Sequence, residues 1–275
     1  QASVKSAIEP PEVRILNCSL NTSHRYIRTY YSRMYEAKFL MGAIAGAMAE
    51  NDRLAYIADY PICGEIANIN AFALGAKMIN PRTKVYLEWT TRKGYNAYDR
   101  IRDIWVDCVS GKDMVIPEES SRYFGLYHLD GENPRNLAMP LWHWGKFYEQ
   151  MIRRIMDGTW KYDDKSSSMK AINYWWGMSS GVVDIICSQN LPTETKKLVE
   201  VLKHAISSGQ FEPFSGILYS QTGQVQGEAW KTLSAEEIIA QLRLCGVSVG
   251  TYAPSIPVRE VENRMMLAMD QLTFF

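Results

Sequence analysis

An α/β fold with a largely parallel sheet and flanking helices is what this sequence of 275 residues predicts. Three observations carry that expectation. Short β-favouring runs alternate with helical stretches of roughly 12 to 18 residues, the pattern of strand–helix–strand units. The second half of the first long helical stretch is apolar on every side, so that helix should be buried. No internal repeat interrupts the alternation.

The elements follow in order. "EVRILNCSL" reads as a strand. "SRMYEAKFLMGAIAGAMAEND" is a long helix whose small residues Gly42, Ala43, Ala45, Gly46 and Ala47 allow another element to approach closely. "RLAYIAD" is a strand running into a loop at Tyr60-Pro61. "GEIANINAFALGAKMIN" is a second helix, stopped by Asn80-Pro81, and "KVYLEW" is the next strand. We expect Leu54–Ala58 and Lys84–Glu88 to lie parallel in one sheet, joined by the helix at about 64–77. In "YNAYDRIRDIWVDCV", Tyr95, Tyr98, Ile101, Trp105 and Cys108 fall on one face at helical spacing.

The alternation continues with "DMVI" and "YFGLYHL" as short strands, and "LAMPLWHW" as a strand-like run interrupted by Pro140. "GKFYEQMIRRIMDG" is a helix. "KYDDKSSSMK" is the most linker-like stretch and reads as a surface loop. "INYWWGMSSGVVDIIC" has strand-like ends around a turn. "PTETKKLVEVLKHAISSG" is a helix with Gly209 past its end. "FSGILYSQTGQVQ" has hairpin character around Thr222-Gly223, and "SAEEIIAQLRL" opens with a capping box of Ser234 and Glu237.

Composition narrows the function classes. Hydrophobic residues make up 47% of the chain and charged residues 22%, an ordinary globular balance. Thirty basic and thirty acidic residues cancel, so no basic excess points to nucleic acid. The longest apolar run, Phe39 to Ala49, is far short of the roughly 20 residues that span a bilayer. No signal peptide is visible at the start. Cys18, Cys63, Cys108, Cys187 and Cys245 are scattered, without a Cys-x-x-Cys, and read as reduced core thiols rather than zinc ligands or bridges. That pattern favours a reducing, cytoplasmic compartment.

Catalytic and cofactor motifs are missing. There is no G-x-G-x-x-G, phosphate loop, G-x-S-x-G or H-E-x-x-H. "SGKD" has the Gly-Lys pair but not the earlier glycine. A set of Ser120, His128 and Asp130 has no spacing behind it, and Glu118-Glu119 reads as a solvated loop rather than a catalytic pair. The expectation is no enzyme, no cofactor and no metal. Aromatic clusters are more informative. Trp142 and Trp144 share a face if their stretch is extended, and Trp175-Trp176 and Tyr60 also stand at strand-to-loop transitions. Ligands in open α/β sheets bind outside the carboxyl ends of strands, where such rings can stack on a flat group. For any single ring, packing in a core or lobe remains the commoner role, at roughly two in three.

Several stretches, taken together and in order, resemble the basic membrane protein family. Its members are substrate-binding proteins of nucleoside ABC transporters, related to the purine nucleoside receptor lipoproteins. "TYYSRMYEAKFLMGAIAGAMAENDRLAYIADYPICGEIANINAFALGAKMINPRTKVYLEWT" is similar to the family's Y-x-x-R-x-Y-E-A-x-[FY]-L-x-G segment and its strand, proline loop and I-N-A-F-A-L-G-A. "MPLWHWGKFYEQMIRRIMDGTW" resembles its W-N-W-G helix start and D-G-T-W end. "YWWGMSSGVVDI" and "FEPFSGILYSQTGQV" match its W-W-G and P-F-S-G segments. The resemblance covers about residues 28–227.

The resemblance implies a type I periplasmic-binding fold, in which two α/β lobes hold a ligand in the cleft between them. It implies that residues 1–53 are the remainder of a first lobe, 54–190 the second lobe, and 191–275 returning crossover segments and C-terminal helices. Most of the first lobe is missing relative to the family, so a separate chain or segment would complete it. The family's Asp that holds ribose hydroxyls lies in the region "IPEESSRYFGLYHLDGENPRN", where Asp130 is the nearest acid. The implied function is a solute-binding domain for a nucleoside-like small molecule. It would feed an ABC transporter permease from an extracytoplasmic, lipid-anchored position. The alternative is a cytoplasmic regulatory or sensor module with a regulatory partner. The expected ligand-binding residues are Asp59, Tyr60, Trp89, Trp142 and Trp144. Asp59 would be the polar anchor and the rings would supply stacking or shape, one tryptophan of the 142/144 pair at the cleft or hinge and the other packed in a lobe.

Overall fold

The computed structural model describes residues 14–18, 27–59, 63–91, 96–131, 133–160, 174–220 and 223–240. Two principal sheets organise them. The smaller has three parallel strands, β1 (Ile15–Cys18), β2 (Ile27–Ser32) and β8 (Tyr174–Trp176), in the order β1-β2-β8. The larger holds β3 (Arg53–Ala58), β4 (Lys84–Trp89), β5 (Cys108–Ser110), β6 (Leu126–Asp130), β7 (Asn133–Trp142) and β9 (Val183–Cys187), in the order β4-β3-β5-β6-β7-β9. A short antiparallel pair, β10 (Leu218–Ser220) and β11 (Gly223–Gln226), forms the expected hairpin, with Thr222 outside the described residues.

β3 and β4 are parallel neighbours in register from Arg53↔Lys84 to Ala58↔Trp89, as the sequence predicts. β5 pairs parallel to β3 on its other side. Beyond β5 the sheet becomes an antiparallel meander through β6, β7 and β9. The sheet is therefore mixed, because the chain after β5 returns without a crossover helix. Asp130 pairs with Asn133 to close the β6–β7 hairpin, and Gly131, at φ 60°, lies in its turn.

Strand alternation sorts the side chains onto two faces. Leu54, Tyr56, Ala58, Val85, Leu87 and Cys108 join the main core. It lies under α1 (Met34–Met48), α2 (Cys63–Ile79) and α5 (Thr193–Ser207). Ala55, Ile57 and Val109 face the other way, toward Ile101 of α3 (Ala97–Ile104). The close approach expected of the small residues occurs between α1 and α2. A Cβ on Gly42 would stand 2.0 Å from the Phe72 carbonyl oxygen, and one on Gly75 would stand 2.0 Å from that of Phe39. A third cluster joins α4 (Trp144–Met156) to the smaller sheet through Tyr30, Phe147, Met151 and Trp160. The main core runs unbroken from Met34 through Ile238 of α6 (Ala235–Ala240), across both sequence divisions drawn at 53/54 and 190/191. The capping box of α6 is present: the Ser234 amide donates to Glu237 Oε2 and the Glu237 amide to Ser234 Oγ.

Two expected elements differ. α3 stops at Ile104 because Trp105 adopts a left-handed conformation, φ 58°, and is 77% exposed. Cys108 lies in β5, so the helical face drawn from Tyr95 to Cys108 breaks there; Tyr95 is outside the described residues. "DMVI" is not a strand: Met114 and Val115 are exposed, and the strand is the buried Cys-Val-Ser just before it. The loop predicted at 161–170 and Cys245 are outside the described residues, as is the side chain of Cys63. Cys18, Cys108 and Cys187 are free thiols. No described helix is long and apolar enough to cross a membrane.

Candidate ligand-binding site

The parallel strands β3, β4 and β5 deliver their carboxyl ends to one edge of the larger sheet. Asp59 follows β3 and is exposed. The Thr90 hydroxyl, just past β4, donates to Asp59 Oδ1, and the Thr91 hydroxyl donates to the Asp59 backbone carbonyl at 2.6 Å. Past β5, Lys112 Nζ donates to Glu119 Oε1 at 2.6 Å. Tyr98, from the first turn of α3, lies near Lys112, Glu119 and Asp59, and burial raises its hydroxyl pKa. These groups form a polar rim.

Beneath the rim lies a charged layer. Lys38 of α1 is 1% exposed. Its ammonium donates to Asp113 Oδ1 at 2.5 Å and to Ser110 Oγ at 3.3 Å, and stands 5.0 Å from the centroid of the Tyr56 ring. Glu65, in the first turn of α2, accepts from Asn68 Nδ2 at 3.2 Å. Its burial pushes its pKa up, opposed by the charge of Lys38.

Three chain segments pass between the sheets: Ser32-Arg33 into α1, His143 between β7 and α4, and the turn from β8 to β9. They are tied together. The Arg33 amide donates to the Trp176 carbonyl at 2.8 Å, and the His143 amide to that of Val182 at 2.8 Å. Trp142 Nε1 donates to Ser32 Oγ at 3.1 Å, and Trp175 Nε1 to the Ser32 carbonyl at 3.3 Å. The Met178 amide donates to the buried carboxylate of Glu36 at 2.6 Å. Burial dominates that carboxyl and raises its pKa to about 7, against the pull of the Met178 amide. A Cβ at Gly177 would fall 2.3 Å from Glu36 Oε2, so this crossing is built for glycine.

The residues expected from the sequence separate into two groups. Asp59 and Trp89 stand at the carboxyl ends of adjacent strands, with Trp89 packed on the main core. Trp142 is a crossover residue, also packed on that core. Trp144 belongs to the aromatic cluster of the smaller sheet, edge-on to Tyr30 at 5.6 Å and to Phe147 at 6.1 Å. Tyr60 lies outside the described residues. Asp130 is at the opposite end of the sheet, since β6 runs antiparallel to β5 and carries it away from Ser110. Ser120 caps a short 3-10 turn and Asp130 closes a hairpin, so neither stands in a triad with His128. Lys38, Glu65, Ser110 and Asp113 were not among the expected residues. The signal was there in Lys38, a cation just ahead of the apolar second half of α1, which must find a partner if buried. No group of metal-ligating side chains gathers among the described residues.

Residues 16–94 match the family model Bmp, described as ABC transporter substrate-binding protein PnrA-like. A purine-binding protein of Brucella abortus (strain 2308) is 27% identical over 234 residues, covering 80% of this chain and 64% of that protein. TsgA13, a Haloferax volcanii protein named for ABC-transporter glucose binding, is 26% identical over 206 residues, covering 68% of this chain and 49% of that protein. The chain thus spans less than two thirds of the length of either relative. Among solved structures, an ABC transporter solute-binding protein from Conexibacter woesei DSM 14684 superposes with a TM-score of 0.53 at 13% identity, covering 76% of this chain and 74% of that one. A transcriptional activator of the comK gene from Bacillus halodurans superposes with a TM-score of 0.51 at 15% identity, covering 71% and 70%. At such identities these two speak for the fold alone. Over residues 16–94 the chain is similar to the Bmp family of PnrA-like ABC transporter substrate-binding proteins, and the resemblance of the segments named above runs the same way.

Proposed function

We propose that the chain is the greater part of a solute-binding protein for a nucleoside-like small molecule, delivering it to an ABC transporter permease without chemical change. The observation that carries this reading is the rim at the carboxyl ends of β3, β4 and β5, where Asp59, its two threonine partners and Tyr98 gather. Polar groups at strand ends in an open α/β sheet are where ligands bind. The Brucella relative's name, purine-binding, supports the nucleoside class; the Haloferax relative's name supports a sugar-bearing ligand.

In this reading the six-stranded sheet and its helices are the second lobe. The three-stranded sheet with α4 is the remainder of the first, completed by another segment or chain. The crossovers at Arg33, His143 and Gly177 would be the hinge. Asp59 anchors the ligand, with Tyr60 and Trp89 beside it, and Trp142 contributes at the hinge. Trp144 supports the lobe by packing.

The test is mass spectrometry of small molecules released on denaturing the purified full-length protein. A nucleoside or purine at near one per chain is expected. An empty protein that also takes up no added nucleoside would reject transport of this class and favour a regulatory module on the same fold.

A further inference from the structure

The charges around Glu36 do not balance. Glu36 is 3% exposed and stands in the first turn of α1, where the chain has just crossed between the sheets. Its Oε2 accepts the Met178 amide from the turn between β8 and β9. A second carboxylate, Glu212, comes from the segment after α5. Its side chain is 22% exposed, and its Oε1 is buried with no hydrogen-bond partner. One cation lies between the two. Arg33 Nη1 stands 3.8 Å from Glu36 Oε1 and 3.9 Å from Glu212 Oε2, too far to hydrogen-bond either. The guanidinium is held there by other contacts: its Nε donates to the Trp175 carbonyl at 2.9 Å, and its Cζ lies 5.2 Å from the centroid of the Trp175 ring. The other groups that meet the pair among the described residues are uncharged, namely the Tyr35 hydroxyl and Phe214 amide at Glu212 and the Met178 amide at Glu36. With both carboxyls ionised, the cluster holds two negative charges against one positive. One proton makes it neutral.

We propose that Glu36, Glu212 and Arg33 form a proton-operated latch between the two sheets: the crossings keep the arrangement described here while the carboxyl pair holds one proton, and loss of that proton releases the sheets to another relative orientation. The inference rests on reading these crossings as the hinge of a solute-binding protein and adds a control on it. Two carboxylates sharing a site cannot both ionise cheaply in a low dielectric. Nor can Glu36 be solvated where it stands on the Gly177 side, where even a Cβ would fall 2.3 Å from its Oε2. The direction follows. Burial, first of all, raises the Glu36 pKa to about 7 in the described arrangement, with the charge of Glu212 adding to it. Segments that part admit water and return the carboxyl toward its ordinary value. The described arrangement is therefore favoured at low pH and loses that advantage as pH rises through about 7.

The test is small-angle scattering of the full-length protein between about pH 5.5 and pH 8.5, for the wild type, Glu36→Gln and Glu212→Gln. Each variant removes one negative charge, so its cluster is neutral without a proton. The wild-type profile is expected to shift near pH 7 as a one-proton titration, and both variants to keep the low-pH profile throughout. A role in stability alone would leave all three profiles fixed. Should one variant fail to fold, the other carries the comparison. A constant wild-type profile, or a shift that persists in the variants, would overturn the latch. Calorimetry with adenosine at both ends of the range separates this from the solute-binding reading. A shifting profile without adenosine binding keeps the latch and rejects the nucleoside; adenosine binding with a fixed profile keeps the nucleoside and rejects the latch.

Discussion

Lys38 could be found in the sequence by its oddity, but its partner could not. Asp113 is 75 residues away, and no spacing rule links a helix residue to a loop that folds against it. The same holds for Asp59 and Thr90, joined only because β3 and β4 lie in register. Conversely, Asp130 looked plausible from its place in the chain and fails on strand direction alone. The buried pair leads to a stability prediction. Asp113→Asn leaves a buried ammonium uncompensated and should cost about 3–5 kcal/mol, while Lys38→Met/Asp113→Asn should cost much less than the sum of the two single changes. Urea melts of the four proteins would show the coupling; additive costs would mean that the pair contributes nothing.

Glu36 gives a second prediction at the same scale. Its folded pKa, about 7, lies above the ordinary 4.5 because burial disfavours the charge. The folded state therefore binds the proton more tightly than the unfolded chain. The stability this group contributes is full below about pH 4.5 and is lost as pH rises through about 7, a loss of up to about 3 kcal/mol. Glu36→Gln keeps an acceptor for the Met178 amide. It should flatten the fall in stability between pH 5 and pH 8, measured by chemical denaturation. An equal fall in the variant would assign the slope to other groups, of which the half-buried Glu65 and Glu212 are shifted in the same direction.

At the scale of elements, what the sequence made legible was what local pattern controls. The apolar α1 and α2 declared themselves by composition, β3 and β4 by β-favouring runs, and α6 by its capping box. What local pattern does not control was misread: Trp105 ends α3 by adopting a left-handed turn that no residue preference forecasts, and the exposed Met114 and Val115 imitate a strand. The β6–β7 hairpin, marked in the sequence only by Gly131 after Asp130, begins the antiparallel half of the sheet. The contact between α1 and α2 is backbone on backbone at Gly42 and Gly75. Carbonyl oxygens cannot swing aside as a side-chain end can. Gly42→Ala should therefore destabilise the fold by about 1–3 kcal/mol or more, although alanine favours helices. A thermal melt unchanged or raised by this substitution would show that the helices separate freely.

For the whole molecule, order along the chain carried the family resemblance, and the topology agrees with it: parallel strands delivering polar groups to one edge, and three crossings between two sheets. The full cleft is a property of two lobes, and this chain spans less than two thirds of its named relatives. The ligand must therefore be read from binding. Calorimetric titration of the full-length protein with a panel of nucleosides tests the central claim most directly. The account predicts a saturable, single-site heat for at least one nucleoside, weakened in Asp59→Ala by about 1.5–3 kcal/mol through loss of a charge-assisted hydrogen bond. No heat from any nucleoside would contradict it.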